Sequence, residues 1–362
     1  MHYLCNRLYK FHNFVADISY MKKSYVTIHD IAKELNVSAS TVSRALNDNQ
    51  RISPATRTAV REVALKYNYQ PNVLASSLRK GAGNTVGVII PRINRNFFAN
   101  VIGGMEQILS AAGYNLMICQ TQEKFDNEVA AIQAMINARV VAVIMSVSME
   151  TRTADHISLL KDKNIRLQFF DRQCDLLNSS SVTVDDELGA YMAVKHLLDS
   201  GYKKIAHIAG ADHINIYRAR KNGYLKAMQE AGIEVKKKWI MDYPLIIEGG
   251  KKAFNQFRTW EEQPDAIFCA GDFAALGIIL AAKENNVSVP EALGVVGFAN
   301  EPFTEFIEPG LSSVDQNGEE MGRIVAQQFL NESSKVINEE KFEKRVLKPE
   351  LLIRKSSQRI SN

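Results

Sequence analysis

Cysteine is scarce in this chain, and its four copies, Cys5, Cys119, Cys174 and Cys269, form no close pair and no metal-ligand spacing. That excludes a disulfide scaffold and a thiolate metal site, and it points to reduced thiols. Long apolar runs are missing too: each run ends early at Gly, Pro or a charge, so none is long enough to span a bilayer. The first 20 residues, MHYLCNRLYKFHNFVADISY, lack a continuous apolar core and a small-residue cleavage site, which argues against an export signal. Met21 precedes KKSYVTIHDIA and reads as an alternative start, with residues 1–23 an extension that is disordered or a start-site artefact. Nucleophile elbow, phosphate loop and metal spacing are all absent, and His156, His196, His207 and His213 are scattered. No catalytic residue, metal or cofactor is therefore assigned.

What is present suits a globular chain of two or three domains: 362 residues, 46% hydrophobic and 23% charged. The net charge of +4 is unevenly placed. Residues 21–83 hold 10 Lys and Arg against 4 Asp and Glu, a local +6. The first 20 residues contribute +1, so the chain from Asn84 onward carries −3. A basic head on a slightly acidic body predicts that the head meets a polyanion.

The head reads as three short helices. Thr27 precedes the apolar stripe Ile28, Ile31, Ala32 and Leu35, with Asp30 three residues on, a capping-box-like start. NVS breaks that helix and Ser38 caps a second one, whose Val42, Ala45 and Leu46 face inward and leave Ala39, Ser40, Ser43 and Arg44 on the other side. Ser53 caps a third, with Pro54 at the first helical position, where its missing N–H costs nothing. A tight turn between the first two helices describes a helix-turn-helix unit. Small hydroxyl side chains let the second helix sit deep in a major groove, and Arg44 is long enough to grip a guanine edge.

The stretch from Val26 to Arg79 resembles the DNA-binding headpiece of the lactose/galactose repressor (LacI/GalR) family, through TIHDIA, VSxxTVSRAL, SPATRxxV, YxPN and ASSLR. The resemblance implies base contacts from Ala39, Ser40 and Arg44, and phosphate contacts from Thr27, Ser38, Thr41, Ser43 and Asn47. It also implies a hinge helix that folds when two copies pair in the minor groove, where Leu78 wedges into the central base step beside Asn72 and Ala75. Eight residues are too few for a stable isolated helix, so the same stretch also reads as a linker.

From Thr85 short apolar runs alternate with helix-length segments: TVGVII, NLMICQ, VVAVIMSV, RLQFFD and SVTVD, then KIAHIAG, WIMDY, AIFCAGD and LGVVGFA. Continuous runs of this kind imply buried parallel strands in βαβ units. The expected fold is thus a small all-α helix-turn-helix headpiece plus an α/β body of two parallel-sheet subdomains, similar to the type I periplasmic-binding-protein fold. The boundaries are 24–71 for the headpiece, 72–84 for the hinge and 85–357 for an effector-binding and dimerisation domain. Its first subdomain takes 85–185 plus 315–342, and its second 186–314 plus 343–357. KRVLKPELLIRKSSQRISN reads as a final strand, without Leu heptads behind it.

Ligands of open parallel sheets bind beyond the carboxyl ends of the strands. Five groups fall there: Phe97-Phe98, Asp171-Arg172, Arg218 and Arg220, Gly271-Asp272, and Ala299-Asn300-Glu301. Each has an ordinary structural reading as core, ion pair or cap. By resemblance, the effector pocket is lined by Phe98, Asp171, Arg220, Phe268, Gly271, Asp272, Ala299 and Asn300. At 271 many relatives carry Asn and at 299 Asp, so two hydrogen-bonding groups are missing here, and Asn300 or Asp272 is the candidate to compensate.

The resemblance therefore implies a ligand-responsive transcriptional regulator, a repressor in most readings. Its partners are a pseudo-palindromic DNA operator, a small sugar-like effector, and a second copy in a homodimer or dimer of dimers. No membrane partner and no cofactor are expected, and the location is cytoplasmic, with the nucleoid. A nucleobase sensor of the same family, a solute-binding protein of a transport system, an enzyme and a ligand-free architectural repressor are the alternatives. The solute-binding protein should carry an export signal and no basic head, the reverse of this chain.

Overall fold

The computed structural model describes residues 26–69, 83–333 and 342–359. The chain divides into two units, residues 1–82 and 83–362.

Three helices form the described part of the first unit: α1 (Ile28–Glu34), α2 (Ala39–Leu46) and α3 (Pro54–Lys66). Their starts follow local chemistry. The Asp30 carboxylate accepts from both the Thr27 backbone N–H and its hydroxyl, each at 2.7 Å, and these bonds hold its pKa below the ordinary value. Ser38 and Ser53 accept from the N–H groups of Thr41 and Thr56 at 3.1 and 3.2 Å, satisfying donors that a helix start leaves free. Asn36 takes the left-handed conformation (φ 50°) that ends α1 and turns the chain into α2. Ile31, Ala32, Val42, Ala45, Val60 and Ala64 close a small core.

The second unit holds two sheets. The first contains β1 (Thr85–Ile90), β2 (Asn115–Gln120), β3 (Ala142–Met145), β4 (Arg166–Phe170) and β5 (Ser180–Val184). Its helices are α4 (Asn96–Ala111), α5 (Phe125–Ala138) and α6 (Asp155–Asp162). The second contains β6 (Ile205–Ala209), β7 (Ile240–Asp242), β8 (Ala266–Cys269), β9 (Gly294–Phe298) and β10 (Ser312–Asp315). Around it run α7 (Asp186–Asp199), α8 (Asn215–Glu230), α9 (Ile247–Arg258), α10 (Asp272–Glu284) and the single turn α11 (Phe303–Phe306). After α12 (Gly318–Ser333) come β11 (Lys344–Leu347) and β12 (Glu350–Leu352). The sheet orders are β11-β5-β4-β3-β1-β2 and β12-β10-β9-β8-β6-β7. Every pairing is parallel except that of β12 with β10.

The chain passes between the halves three times: at Asp185, between β10 and α12, and between β11 and β12. The last passage corrects the sequence boundary at 343. β11 pairs with β5 in the first sheet, from Lys344↔Ser181 to Leu347↔Val184, and only β12 joins the second sheet. The expected single C-terminal strand is two, separated by Lys348 and Pro349, whose ring removes a ladder N–H. β10 does not read as a strand in the sequence because SSVD is mostly polar. Its serines are buried by being hydrogen-bonded: Ser312 to the Arg354 backbone, Ser313 to Asp272.

α12 returns to pack on α4 of the first half at very close range. A Cβ on Gly104 would sit 2.1 Å from the Glu319 carbonyl oxygen, and one on Gly322 would sit 2.0 Å from that of Val101. Among the described residues no helix is long and apolar enough to cross a membrane.

Candidate functional site

Two places carry candidate chemistry. The first is the outward side of α2. Val42 and Ala45 are buried, while Ser40, Arg44 and Asn47 are exposed and Ala39, Thr41 and Ser43 are half-buried. The Ser38 hydroxyl lies within hydrogen-bond distance of those of Ser40 and Thr41, 2.8 Å from each. The Asn47 side-chain amide donates to the Ser43 carbonyl at 2.8 Å and closes the helix. Thr27, at the start of α1, is exposed. The eight residues expected to contact bases and phosphates therefore cluster on α2 and the start of α1. Asn72, Ala75 and Leu78 lie outside the described residues.

The second place is a cleft between the two halves of the body, at the carboxyl ends of both sheets. It encloses about 100 Å³. On the same scale one ordered water needs about 10–15 Å³, so there is room for a small organic molecule. From the first half come Phe97 and Phe98 at the start of α4, and Asp171 and Arg172 just past β4. The second half contributes Tyr217, Arg220, Asp272, Phe298 and Ala299, among others.

The charged groups are buried and bound to partners. Arg220 lies on Asp186, with Nε–Oδ1 2.8 Å and Nη2–Oδ1 2.7 Å, and its Nη1 donates to the Ala270 carbonyl at 2.8 Å. Its guanidinium stacks 3.6 Å from the Phe298 ring centroid. Arg172 donates to Glu123 through both Nη atoms, at 2.8 and 3.3 Å, and to the Tyr217 hydroxyl of the opposite half at 3.1 Å. Its Nε is buried with no hydrogen-bond partner among the described residues. Asp171 accepts from the Ser146 hydroxyl at 3.1 Å, and burial pushes its pKa up. Its backbone is left-handed (φ 58°), a conformation Asp tolerates better than most residues.

Asp272, the first residue of α10, accepts from the Ser313 hydroxyl at 2.7 Å and the Glu301 N–H at 2.8 Å. Burial pushes its pKa up to about 7, against those two bonds. Its carboxylate presses on the backbone of β9, where a Cβ at Gly297 would sit 2.1 Å from Oδ1. The halves also meet at the rim: the Asn96 N–H donates to Glu301 at 3.3 Å, and Arg95 stacks 3.6 Å from the Phe273 ring centroid. Burial lowers the pKa of Arg95 and raises that of Glu301.

Of the eight residues expected to line the pocket, six do: Phe98, Asp171, Arg220, Gly271, Asp272 and Ala299. Phe268 does not. It sits inside β8 rather than beyond its end, is 0% exposed, and stacks on His207 at 4.8 Å in the second half's core. Asn300 is also outside the cavity. Its left-handed backbone (φ 46°) turns the side chain away, so that Nδ2 donates to Asp315 at 2.8 Å and Oδ1 accepts from Arg354 at 3.0 Å. The cavity takes Glu301 instead. Tyr217, Leu245, Phe273 and Phe298 were not anticipated. Phe298 and Phe273 each lie at a strand end or the first turn after one, the signal that would have found them.

Comparison with known proteins finds a match in each of the two units of the chain. Residues 27–72 match the model for bacterial regulatory proteins of the lacI family, and residues 194–357 that for a periplasmic binding protein-like domain. The chain is 34% identical over 301 residues to catabolite control protein A of Priestia megaterium, covering 83% of this chain and 90% of that one. It is 31% identical over 335 residues to the HTH-type transcriptional repressor PurR of Glaesserella parasuis serovar 5, covering 91% and 98%. Its fold is similar to that of the lac repressor dimer bound to operator and the anti-inducer ONPF, with TM-score 0.78 over 92% of this chain and 99% of that one, at 21% identity.

Proposed function

Because the chain belongs to the lacI family of bacterial regulatory proteins, we propose that it is a repressor whose grip on a pseudo-palindromic operator is set by a small polyhydroxylated molecule in the cleft. In this reading α2 enters the major groove. Arg44 reads a guanine edge, Ala39 and Ser40 meet the neighbouring bases, and Thr27, Ser38, Thr41, Ser43 and Asn47 hold phosphates. Residues 72–84 form a hinge in the minor groove, with Leu78 as the wedge beside Asn72 and Ala75. Two copies act together on the two half-sites, the body pairing along residues 98–112 and 272–286.

The observation that carries the reading is the pairing of an exposed Ser/Arg-bearing helix with a cleft bridged by buried donors and acceptors. Asp171 and Arg172 come from one half and Arg220 from the other. A ligand bonded to both halves favours one angle between them, so it shifts the equilibrium between operator-competent and incompetent forms without touching the headpiece. A nucleobase-type ligand is the second reading, favoured by the aromatic side chains Phe97, Phe98, Tyr217 and Phe273 around the cavity.

The test is selection of the purified protein on random duplexes, with and without a panel of sugars and nucleobases. A palindromic site whose affinity one compound changes supports the proposal. Enrichment of no sequence under any condition removes the headpiece from it and reopens the solute-binding alternative.

A further inference from the structure

β7 is the end strand of the second sheet, paired with β6 alone. The Ala270 N–H donates to the Ile208 carbonyl, so Ile208 faces β8, and by alternation His207 and Ala209 face β7. The register sets His207 against Ile240 and Ala209 against Asp242. Met241 is therefore bonded to β6, while the backbone groups of Ile240 and Asp242 face the open side. The Ile240 N–H is used locally, by the Lys237 carbonyl of the 3-10 turn Lys237–Trp239. The Ile240 carbonyl and both backbone groups of Asp242 have no hydrogen bond among the described residues.

A groove of about 450 Å³ runs beside these groups. All three residues of β7 line it, and consecutive strand residues point to opposite faces, so the groove follows the edge of the strand. The other wall is Gln256 of α9 and Trp260 just after it, with Tyr243, whose hydroxyl donates to Gln256 Oε1 at 2.7 Å. Charge is uneven along the groove. Lys238, in the turn, lines one end with its Nζ 4.9 Å from the Trp260 ring centroid, and Lys237 is exposed next to it in sequence. Lys236 is taken by Glu262. Asp242 is the one carboxylate among the described lining residues and closes the strand at its other end.

We infer that this edge docks an extended segment of a partner protein, added to β7 as a further strand. An apolar side chain of the segment lies against Trp260 and Tyr243, and an acidic residue meets Lys237 and Lys238. Three features call for that occupant. Open N–H and C=O groups two residues apart match the backbone of an extended chain. Trp260 and Tyr243 offer apolar ring surface beside them. The two lysines complement a carboxylate, and Asp242 disfavours one at the opposite end, which fixes the direction of the charge. The inference is independent of the effector cleft and of the operator.

The experiment is affinity selection of bead-displayed random nonapeptides on the full chain, followed by titration of the enriched peptides by fluorescence anisotropy. Enriched sequences should carry Asp or Glu at a fixed distance from an aromatic or branched aliphatic residue. N-methylation along the peptide backbone should weaken binding at alternate positions only, the signature of strand addition. Lys238→Glu should weaken it about tenfold or more, by setting like charge against the acidic residue. Asp242→Pro removes the outward N–H and spares the ladder to β6. It should bind about tenfold more weakly than Asp242→Ala, the scale of one hydrogen bond. If Asp242→Pro melts early, Lys238→Glu and the N-methyl series decide. Enrichment of no sequence, peptides indifferent to Lys238→Glu, or N-methyl effects without alternation overturn the inference. Self-association of the chain that Asp242→Pro abolishes overturns it as well, because a second copy would then occupy the edge.

Discussion

On α2 the polar side chains expected to act are displayed: Ser40, Arg44 and Asn47 are exposed, on a helix whose inward residues Val42 and Ala45 make the core. In the cleft the reverse holds. Asp171, Arg172, Arg220 and Asp272 are all buried, and each is tied to protein partners. The difference has a physical basis. DNA carries dense charge and a condensed counterion layer that binding releases, so a reader of DNA keeps its polar side chains at the water-facing surface. A receptor for a small, weakly charged molecule must hold its polar groups at fixed positions, because mobile ones would lose entropy on each binding event. Substitution should therefore separate the two places: damage to the outward side chains of α2 changes affinity and not folding, while damage to the cap that starts α2 or to the cleft changes both.

The sharpest break is at Arg220. Arg220→Ala leaves Asp186 buried without its counter-charge, and such removals cost about 3–5 kcal/mol. Urea denaturation should show a loss of that size together with loss of the ligand response. A variant as stable as the parent would show that the pair is not structural. Arg44→Ala is the counterpart. It should weaken operator binding by about 1–3 kcal/mol and leave the melting midpoint in place; a comparable loss of stability would undo the contrast.

Asp272 gives the contrast a pH dependence. Its folded pKa of about 7 lies above the ordinary value of 3.8, because burial disfavours the charged form. The folded chain keeps this proton where the unfolded chain has released it, so the stability linked to it is full below about pH 4 and is lost as the pH rises toward 7. Asp272→Asn should flatten that part of a stability-against-pH curve measured by denaturation, and an unchanged slope would reassign the effect. The smallest effect is expected at Ser38→Ala. Loss of the cap on α2 should cost the headpiece about 1 kcal/mol, with a modest fall in operator affinity at low salt. No change in headpiece melting would mean that the Thr41 N–H finds water instead.

The same contrast explains what the sequence allowed. The three helix starts were legible because their caps are local: Thr27 with Asp30, Ser38 with Thr41, Ser53 with Thr56. The strands β1 to β9 were legible as apolar runs, and the rule that ligands sit beyond strand ends located Asp171, Gly271, Asp272 and Ala299. Direction along a strand was not legible. Phe268 lies within β8 on the side facing His207, and only the pairing of β6 with β8 decides that. Asn300 was misassigned for a similar reason, since the left-handed turn that points it at Asp315 is a tertiary result. β10 carries too many serines to be recognised before Arg354 and Asp272 are seen to satisfy them.

The measurement that bears most directly on the account is reciprocity. Ligand affinity is determined by calorimetry on the full chain, free and saturated with the selected operator duplex, and operator affinity is determined with and without that ligand. A cleft that controls a separate DNA-binding surface predicts that the two affinity ratios are the same factor, of order 5–150. Ratios of one in both directions, with the ligand bound equally well with and without operator, would contradict it, because occupancy of the cleft would then carry no coupling to the DNA-binding surface.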